Sequence, residues 1–177
     1  MLVVIDVGNT NITIGIYHGD KLIGNYRLTT KMKRTSDEYG FMMMNFLNAS
    51  RVQPEDIKDV IVSSLGPKIM HSFLKGIRKY MHREPILVGP GIKTGISVKT
   101  ENPKAVGADR IVDAAGAYFE YGGPCLVVDY GTATTFDYVD AHGNFEYGVI
   151  TLGIATGAQA MWNQAAKLPE IELTKPA

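Results

Sequence analysis

The sequence predicts an α/β fold, because strand-rich and helix-rich segments alternate along its 177 residues. A hydrophobic content of 45% is enough to bury the core of one domain or of two small lobes. One pattern occurs twice, at 2–11 and at 126–134: an apolar run, then Asp-x-Gly, then small hydroxyl or amide residues. Each copy continues into a second apolar-rich run and a glycine turn, which predicts two β-hairpins in two related lobes.

Five strands are expected before the second copy of the pattern. They are placed at 2–5, 12–16, 22–28, 60–62 and 86–88. The first is apolar without alternation, which is typical of a strand covered on both faces, whereas the second alternates. The last two are short apolar runs and are expected to be buried.

Three helices are expected in the same part of the chain. Thr35 and Glu38 have the spacing of a capping box, which predicts a helix over 36–47. The apolar residues at spacing three in this helix are Phe41, Met44 and Leu47. Further helices are expected over 67–80 and from Asn102-Pro103 through 107–110 towards residue 118. Gly122, Gly123 and Pro124 end the last helix, so we expect one lobe over 1–122 and a second over 123–177.

Composition excludes several classes of protein. Eighteen basic and eighteen acidic residues cancel, so no overall field favours nucleic acid. A single cysteine, Cys125, rules out an internal disulfide and fits a reducing compartment. Asp6 interrupts the first apolar stretch, and we find neither a leader nor a membrane-spanning run. The four histidines are too scattered for a zinc site. These features predict a soluble cytoplasmic protein.

The two Asp-x-Gly turns predict a site for a phosphate chain. Glycine at positions 8 and 131 lets the backbone approach phosphate oxygens closely. Thr10, Asn11 and Thr132 add hydroxyl or amide donors. A carboxylate does not face phosphate without a cation between them, so Asp6 and Asp129 imply a bound metal ion. A single Asp-x-Gly is often only a turn, but its repetition with small donors in the same places favours a functional interpretation.

Three segments carry a resemblance to a known family. In order and separation, 6–11, 107–110 and 129–135 closely resemble type III pantothenate kinase. Matching residues at 63–64, 88–91, 102–103 and 166–169 extend the resemblance over nearly the whole chain. This family belongs to the actin-like ATPase superfold, in which two RNase H-like lobes clasp ATP. The Gly-Ala-Asp-Arg sequence at 107–110 is the segment more specific to the family.

The resemblance implies a reaction and a set of ligands. The family transfers the γ-phosphoryl group of ATP to pantothenate, giving 4'-phosphopantothenate in the first step of coenzyme A biosynthesis. It implies Mg²⁺ with ATP, a monovalent cation (K⁺ or NH₄⁺) and a homodimer. The residues implied to bind ATP are Asp6, Val7, Gly8, Asn9, Thr10, Asn11, Ile12, Thr13, Gly131 and Thr132. Asp6 would bear on Mg²⁺, directly or through water, and Asp129 would hold the monovalent cation.

The resemblance also implies a catalytic residue and a pantothenate site. Asp109 would take or orient the proton of the attacking hydroxyl, and Arg110 would hold the pantothenate carboxylate or a phosphate oxygen. Residues implied to bind pantothenate are Thr100, Gly107, Ala108, Asp109 and Arg110. Without the family, Asp109 and Arg110 would be interpreted as a solvated pair in the first turns of a helix.

The chain departs from the family pattern in sequence and in length. The unusual residues are Thr100 where Tyr is frequent, Asp113 where Asn is common, and Tyr147 and Leu152 where Gly and Pro are usual. Family members continue for roughly another third of a chain, so we expect the second lobe to be incomplete, with an unpaired edge and an uncovered apolar face. The alternative hypothesis is a homologue or fragment that binds nucleotide or regulates, without a complete active site.

Overall fold

The structure is a computed structural model that describes residues 1–64, 68–89, 92–164, 169–170 and 173–174. The expected helix start at residue 67 and the family-like residues 90–91 and 166–168 lie outside the described residues. The strands are β1 (Leu2–Val7), β2 (Asn11–His18), β3 (Lys21–Thr29), β4 (Asp59–Ser64), β5 (Ile86–Leu87), β6 (Ser97–Val98), β7 (Cys125–Tyr130), β8 (Ala133–Val139) and β9 (Asn144–Leu152). The α-helices are α1 (Ser36–Ala49), α2 (Met70–Met81), α3 (Ala108–Tyr121) and α4 (Ile154–Gln164). None of these described helices is long and apolar enough to cross a membrane.

The chain divides into two compact units. The first comprises Met1–Lys93 and Lys104–Val112, and the second comprises Thr94–Pro103 and Asp113–Ala177. Residues 94–103 belong with the second unit because β6 pairs in parallel with β9. Most of α3 joins that unit as well, and the Tyr118 hydroxyl donates to the carbonyl of Ala141 at 3.4 Å. The division of the lobes at residue 122 stays a prediction.

A five-stranded sheet in the order β3-β2-β1-β4-β5 organises the first unit. The central strand β1 pairs antiparallel with β2 and parallel with β4. Val3, Ile5 and Val7 alternate on one face and are buried together with the alternate isoleucines of β2. Leu2 and Asp6 on the opposite face are exposed, so the expectation that β1 is covered evenly on both faces was wrong.

Helices α1 and α2 bury their apolar faces in the same core as β1. The capping box is confirmed, since Thr35 accepts from the Glu38 backbone N–H and its own backbone N–H donates to the Glu38 carboxylate. The buried residues of α1 are Tyr39, Gly40, Met43 and Leu47. Phe41 is 62% exposed and lies against the Tyr80 ring of α2. The expectation that Phe41 lies on the apolar face of α1 was therefore wrong.

A four-stranded sheet in the order β6-β9-β8-β7 organises the second unit. Strands β7, β8 and β9 are antiparallel neighbours, and Val139 and Phe145 near one end are fully buried. The registers place seven large apolar side chains on one face: Leu126, Val128, Tyr130, Phe136, Tyr138, Tyr147 and Val149. Most of them are exposed. The prediction that this lobe is incomplete is not tested by these exposures.

Strand β5 differs from its prediction. It pairs with β4 through Ile86 and Leu87 only and lies at the end of the first sheet. Both side chains are exposed, so the expected buried strand is an exposed edge strand. A short apolar run does not distinguish these two environments, because both use the same residue types.

We expect Thr35→Ala to lower the free energy of unfolding by about 1 kcal/mol, because the α1 cap loses its side-chain acceptor. The backbone N–H and hydroxyl of Thr35 lower the pKa of Glu38. The contribution of the Glu38 carboxylate to the free energy of unfolding is therefore present above its unfolded pKa of about 4.3 and is lost as the pH falls through its folded pKa. Urea denaturation at neutral and acidic pH measures both effects. Ser36→Ala, one position further on, is the control; an equal loss in that variant would contradict the capping role.

Candidate active site

The first Asp-x-Gly turn joins β1 to β2. The Gly8 backbone N–H donates to the carbonyl of Asn11 at 3.0 Å, which closes the turn directly after the strand. A Cβ atom at Gly8 would lie 3.2 Å from that carbonyl and 3.9 Å from Oδ2 of Asp6. Asn9, Thr10 and Asn11 are exposed. The turn therefore presents backbone and short polar side chains beside the Asp6 carboxylate.

Two hydroxyl residues lie beside Asp6 on neighbouring strands. Thr13 on β2 and Ser63 on β4 are its register partners, so the three side chains share one face of the sheet. Ser63 is 5% exposed, and its buried Oγ has no hydrogen-bond partner among the described residues. Mg²⁺ is usually held by one or two carboxylates together with water and phosphate oxygens. One exposed carboxylate beside a buried hydroxyl donor fits that requirement.

Two of the expected ATP-binding residues belong to the core. Val7 is 1% exposed and Ile12 is fully buried, and both side chains pack in the main core cluster of the first unit. They can therefore meet a ligand only through their backbone. Their apolar character is explained by the sheet rather than by the ligand.

The second Asp-x-Gly turn resembles the first but is one residue shorter. The Gly131 N–H donates to the carbonyl of Ala133 at 2.9 Å, and Asp129 pairs with Thr135 as Asp6 pairs with Thr13. A Cβ atom at Gly131 would lie 3.4 Å from the Ala133 carbonyl and 3.6 Å from Oδ2 of Asp129. Both aspartates thus direct a carboxylate oxygen towards the glycine of their turn. The repeat seen in the sequence is confirmed in three dimensions.

The segment after β9 holds the second turn. The Gly153 N–H and the Thr156 hydroxyl both donate to the carbonyl of Thr132, at 3.1 and 2.8 Å. A Cβ atom at Gly153 would lie 2.5 Å from this carbonyl oxygen and closer still to that of Gly131. Only glycine fits there. The sequence prediction missed Thr156, because nothing in its local sequence indicates a contact 24 residues away.

The turn between β8 and β9 is also fixed by a carboxylate. Asp140 accepts from the backbone N–H of His142 and from the backbone and side-chain N–H groups of Asn144. Chiefly the side chain of Asn144, and then its backbone, lower the pKa of Asp140 below its usual value. The β8-β9 connection is thereby stabilised, and β9 leads to Gly153.

The family-specific residues lie at the start of α3. The Ile111 N–H donates to the carbonyl of Gly107 at 3.2 Å, and Ala108 is the first residue of the helix. Asp109 is in the first turn, where the helix dipole favours a negative charge. Its Oδ1 atom is buried. Asp109 and Arg110 both make further interactions within the chain, so neither is a freely solvated side chain.

Thr100 and the unusual residues of β9 lie in the second unit. The Oγ1 atom of Thr100 is buried and has no hydrogen-bond partner among the residues that the structure describes. Such a hydroxyl is suited to a polar ligand or a water molecule. Tyr147 stacks on Tyr138 across the strands, and Leu152 is exposed at the end of β9. Both departures from the family pattern are accommodated within β9.

Comparison with solved structures defines the class of fold. Component A of (R)-2-hydroxyglutaryl-CoA dehydratase from Acidaminococcus fermentans superposes with a TM-score of 0.54 at 15% identity, over 92% of this chain and 52% of that one. Likeness at this level shows the fold alone. The α/β class is confirmed.

Comparison with sequences defines the family. The profile described as "Type III pantothenate kinase" matches residues 2–177. The type III pantothenate kinase of Bifidobacterium longum subsp. infantis is 53% identical over 99% of this chain and 69% of its own length. That of Listeria welshimeri is 47% identical over 99% of this chain and 68% of its own length. The chain belongs to the type III pantothenate kinase family.

We expect Gly153→Ala to weaken binding of Mg·ATP by about tenfold, corresponding to about 1.4 kcal/mol, because its methyl group displaces the carbonyls of Gly131 and Thr132. Calorimetric titration with Mg·ATP measures the change. Gly157→Ala is the matched control, since a Cβ atom there would lie 3.8 Å from its nearest neighbour. Equal affinities of the two variants would contradict a role of Gly153 at the second turn.

Proposed function

We propose that this protein catalyses ATP-dependent phosphorylation of pantothenate to 4'-phosphopantothenate, the first step of coenzyme A biosynthesis. The observation that carries the proposal is family membership at about half identity over nearly the whole chain. The two matching Asp-x-Gly turns support it, because phosphoryl transfer requires positioning and charge neutralisation above all. The reaction breaks the bond from the γ-phosphorus to the β,γ-bridging oxygen and forms a bond to the primary hydroxyl of pantothenate.

The first turn would bind the phosphate chain. Its exposed residues 9–11 offer backbone N–H groups and short side chains, and the buried neighbours Val7 and Ile12 keep its ends fixed. Asp6 would hold Mg²⁺ directly or through water, with Ser63 and Thr13 beside it. The ion, when bound with ATP, neutralises charge on the phosphate oxygens.

The start of α3 would bind and activate pantothenate. Asp109 would accept or orient the proton of the attacking hydroxyl, and the planar guanidinium of Arg110 is suited to a carboxylate. Gly107 and Ala108 have little side-chain bulk, which leaves room for substrate at the helix start. The buried hydroxyl of Thr100 would supply a shorter contact than the Tyr that is frequent in the family.

The second turn would bind phosphate as well. Gly131 and Thr132 would contact phosphate through a backbone held by Gly153 and Thr156. Asp129 would hold a monovalent cation, either K⁺ or NH₄⁺. A homodimer remains a prediction of the resemblance, and a cytoplasmic location remains a prediction from the composition.

We expect Asp109→Asn to lower kcat for pantothenate-dependent ADP release by about 10²- to 10⁴-fold, because the amide cannot accept the proton. The Kd of Mg·ATP should stay within about twofold. Asp113→Asn, one turn further along α3, is the matched control and should retain activity. ATP binding without pantothenate-dependent turnover in the unmodified protein would overturn the proposal and favour a nucleotide-binding or regulatory module.

We expect Asp129→Asn to remove the stimulation of the reaction by K⁺, because the amide carries no charge to hold the cation. Initial rates measured across a KCl series at constant ionic strength test this, with NH₄Cl and NaCl as parallel series. Asp20→Asn, in the exposed turn between β2 and β3, is the control. An unchanged K⁺ response in the Asp129 variant would place the cation elsewhere.

A further inference from the structure

A threonine hydroxyl from outside the hairpin holds the first turn. The Thr30 hydroxyl donates to the carbonyl of Gly8 at 2.9 Å, and the Thr30 backbone N–H donates to the carbonyl of Thr10 at 2.8 Å. Thr30 directly follows β3 and is partly buried. Two alternate carbonyls of the turn are thus directed towards one residue.

The second turn also accepts a hydrogen bond from a threonine hydroxyl, which comes from a different segment of the chain. The Thr156 hydroxyl donates to the carbonyl of Thr132 at 2.8 Å, and the Gly153 N–H donates to the same oxygen. Thr156 lies in the first turn of α4, whereas Thr30 lies in a loop. Each of the two Asp-x-Gly turns therefore accepts a hydrogen bond from a threonine hydroxyl through one carbonyl, and the two threonines lie in elements that differ.

These contacts determine where the N–H groups of the turns point. A trans peptide unit is planar, so its C=O and the following N–H point in opposite directions. Directing the carbonyls of Gly8 and Thr10 towards Thr30 turns the N–H groups of Asn9 and Asn11 away from it. Directing the Thr132 carbonyl towards Thr156 does the same for Ala133. Backbone N–H groups of a tight turn can donate hydrogen bonds to the oxygens of a bound phosphate.

We propose that Thr30 and Thr156 are positioning residues, each of which orients the backbone N–H donors of its own turn for a phosphate group of ATP. The inference rests on the proposed function, since it takes ATP as the ligand. Neither side chain touches the ligand in this account. Each threonine acts on the ligand through one backbone carbonyl of its turn. Its hydroxyl donates to that carbonyl and so fixes the orientation of the peptide unit.

The alternative is that both hydroxyls only stabilise the fold. That role would lower the melting temperature and weaken every ligand alike. A positioning role weakens phosphate-bearing ligands alone, and it is restored by any residue that keeps the hydroxyl. Valine has the shape of threonine without the hydroxyl, and serine keeps the hydroxyl without the methyl group.

The test measures the dissociation constants of Mg·ATP, Mg·tripolyphosphate and pantothenate for Thr30→Val, Thr30→Ser, Thr156→Val and Thr156→Ser. We expect each valine variant to raise the Kd of both phosphate ligands by about fivefold, the value of one net hydrogen bond. Pantothenate should bind within about twofold of the unmodified protein. Each serine variant should restore the affinity for both phosphate ligands.

Other outcomes would overturn the inference. Equal affinities of the valine and serine variants would show that the hydroxyls do not matter. A parallel loss of pantothenate binding with a lower melting temperature would show a structural role, and absence of Mg·ATP binding by the unmodified protein would remove the ligand. Failure of the proposed function is distinguishable, because loss of pantothenate turnover with intact Mg·ATP binding leaves the roles of Thr30 and Thr156 standing.

Discussion

The pairing of β1 on both of its edges is the constraint on which the first unit depends. β2 and β4 hydrogen-bond to it along its whole length, and its side chains alternate between the helix-covered core and the opposite face. The direction and end point of the strand are therefore fixed by burial that no ligand has to supply. Asp6 and Gly8 inherit this rigidity, because they lie at the end of β1 and directly after it. A carboxylate and a tight turn can then face a phosphate chain without being ordered by it, which lowers the entropic cost of binding.

The second unit reaches the same local geometry with less support. Among the described strands β7 lies at the end of its sheet and pairs only with β8, so within this part of the chain its turn lacks the second neighbour that β1 has in β4. Contacts from the start of α4 take that place, and Gly153 is confined to glycine by the close approach. Two hairpins with one sequence pattern are thus stabilised differently: the first by a parallel strand and the second by a helix start. Because of this difference, the second turn is the more sensitive of the two to substitutions at residues 152–157.

The features that could be predicted from the sequence are those that depend on residues close together in the chain. The two hairpins and the α1 cap depend on spacings of a few residues, and the structure contains each of them. The helix start expected at Asn102-Pro103 was wrong, because only a short 3-10 turn lies there and α3 begins at Ala108. The packing partner of Phe41 and the contacts of Thr30 and Thr156 depend on residues 20 or more positions away. Propensity and periodicity do not record such pairings. The edge position of β5 was missed for the same reason, because exposure is decided by what lies beside a strand.

The contact between Thr30 and the first turn also has a kinetic consequence. Lys31 and Lys33, both exposed, lie within three residues of Thr30 and so remain near Gly8 in a chain whose formal charges sum to zero. Two ammonium groups there create a local positive potential, which salt screens over about 10 Å at 0.1 M ionic strength. Nucleotide capture should therefore slow as ionic strength rises, while release, which depends on short contacts, changes little. The association rate of the nucleotide is then governed by the two lysines, and its dissociation rate by the short contacts at the turn.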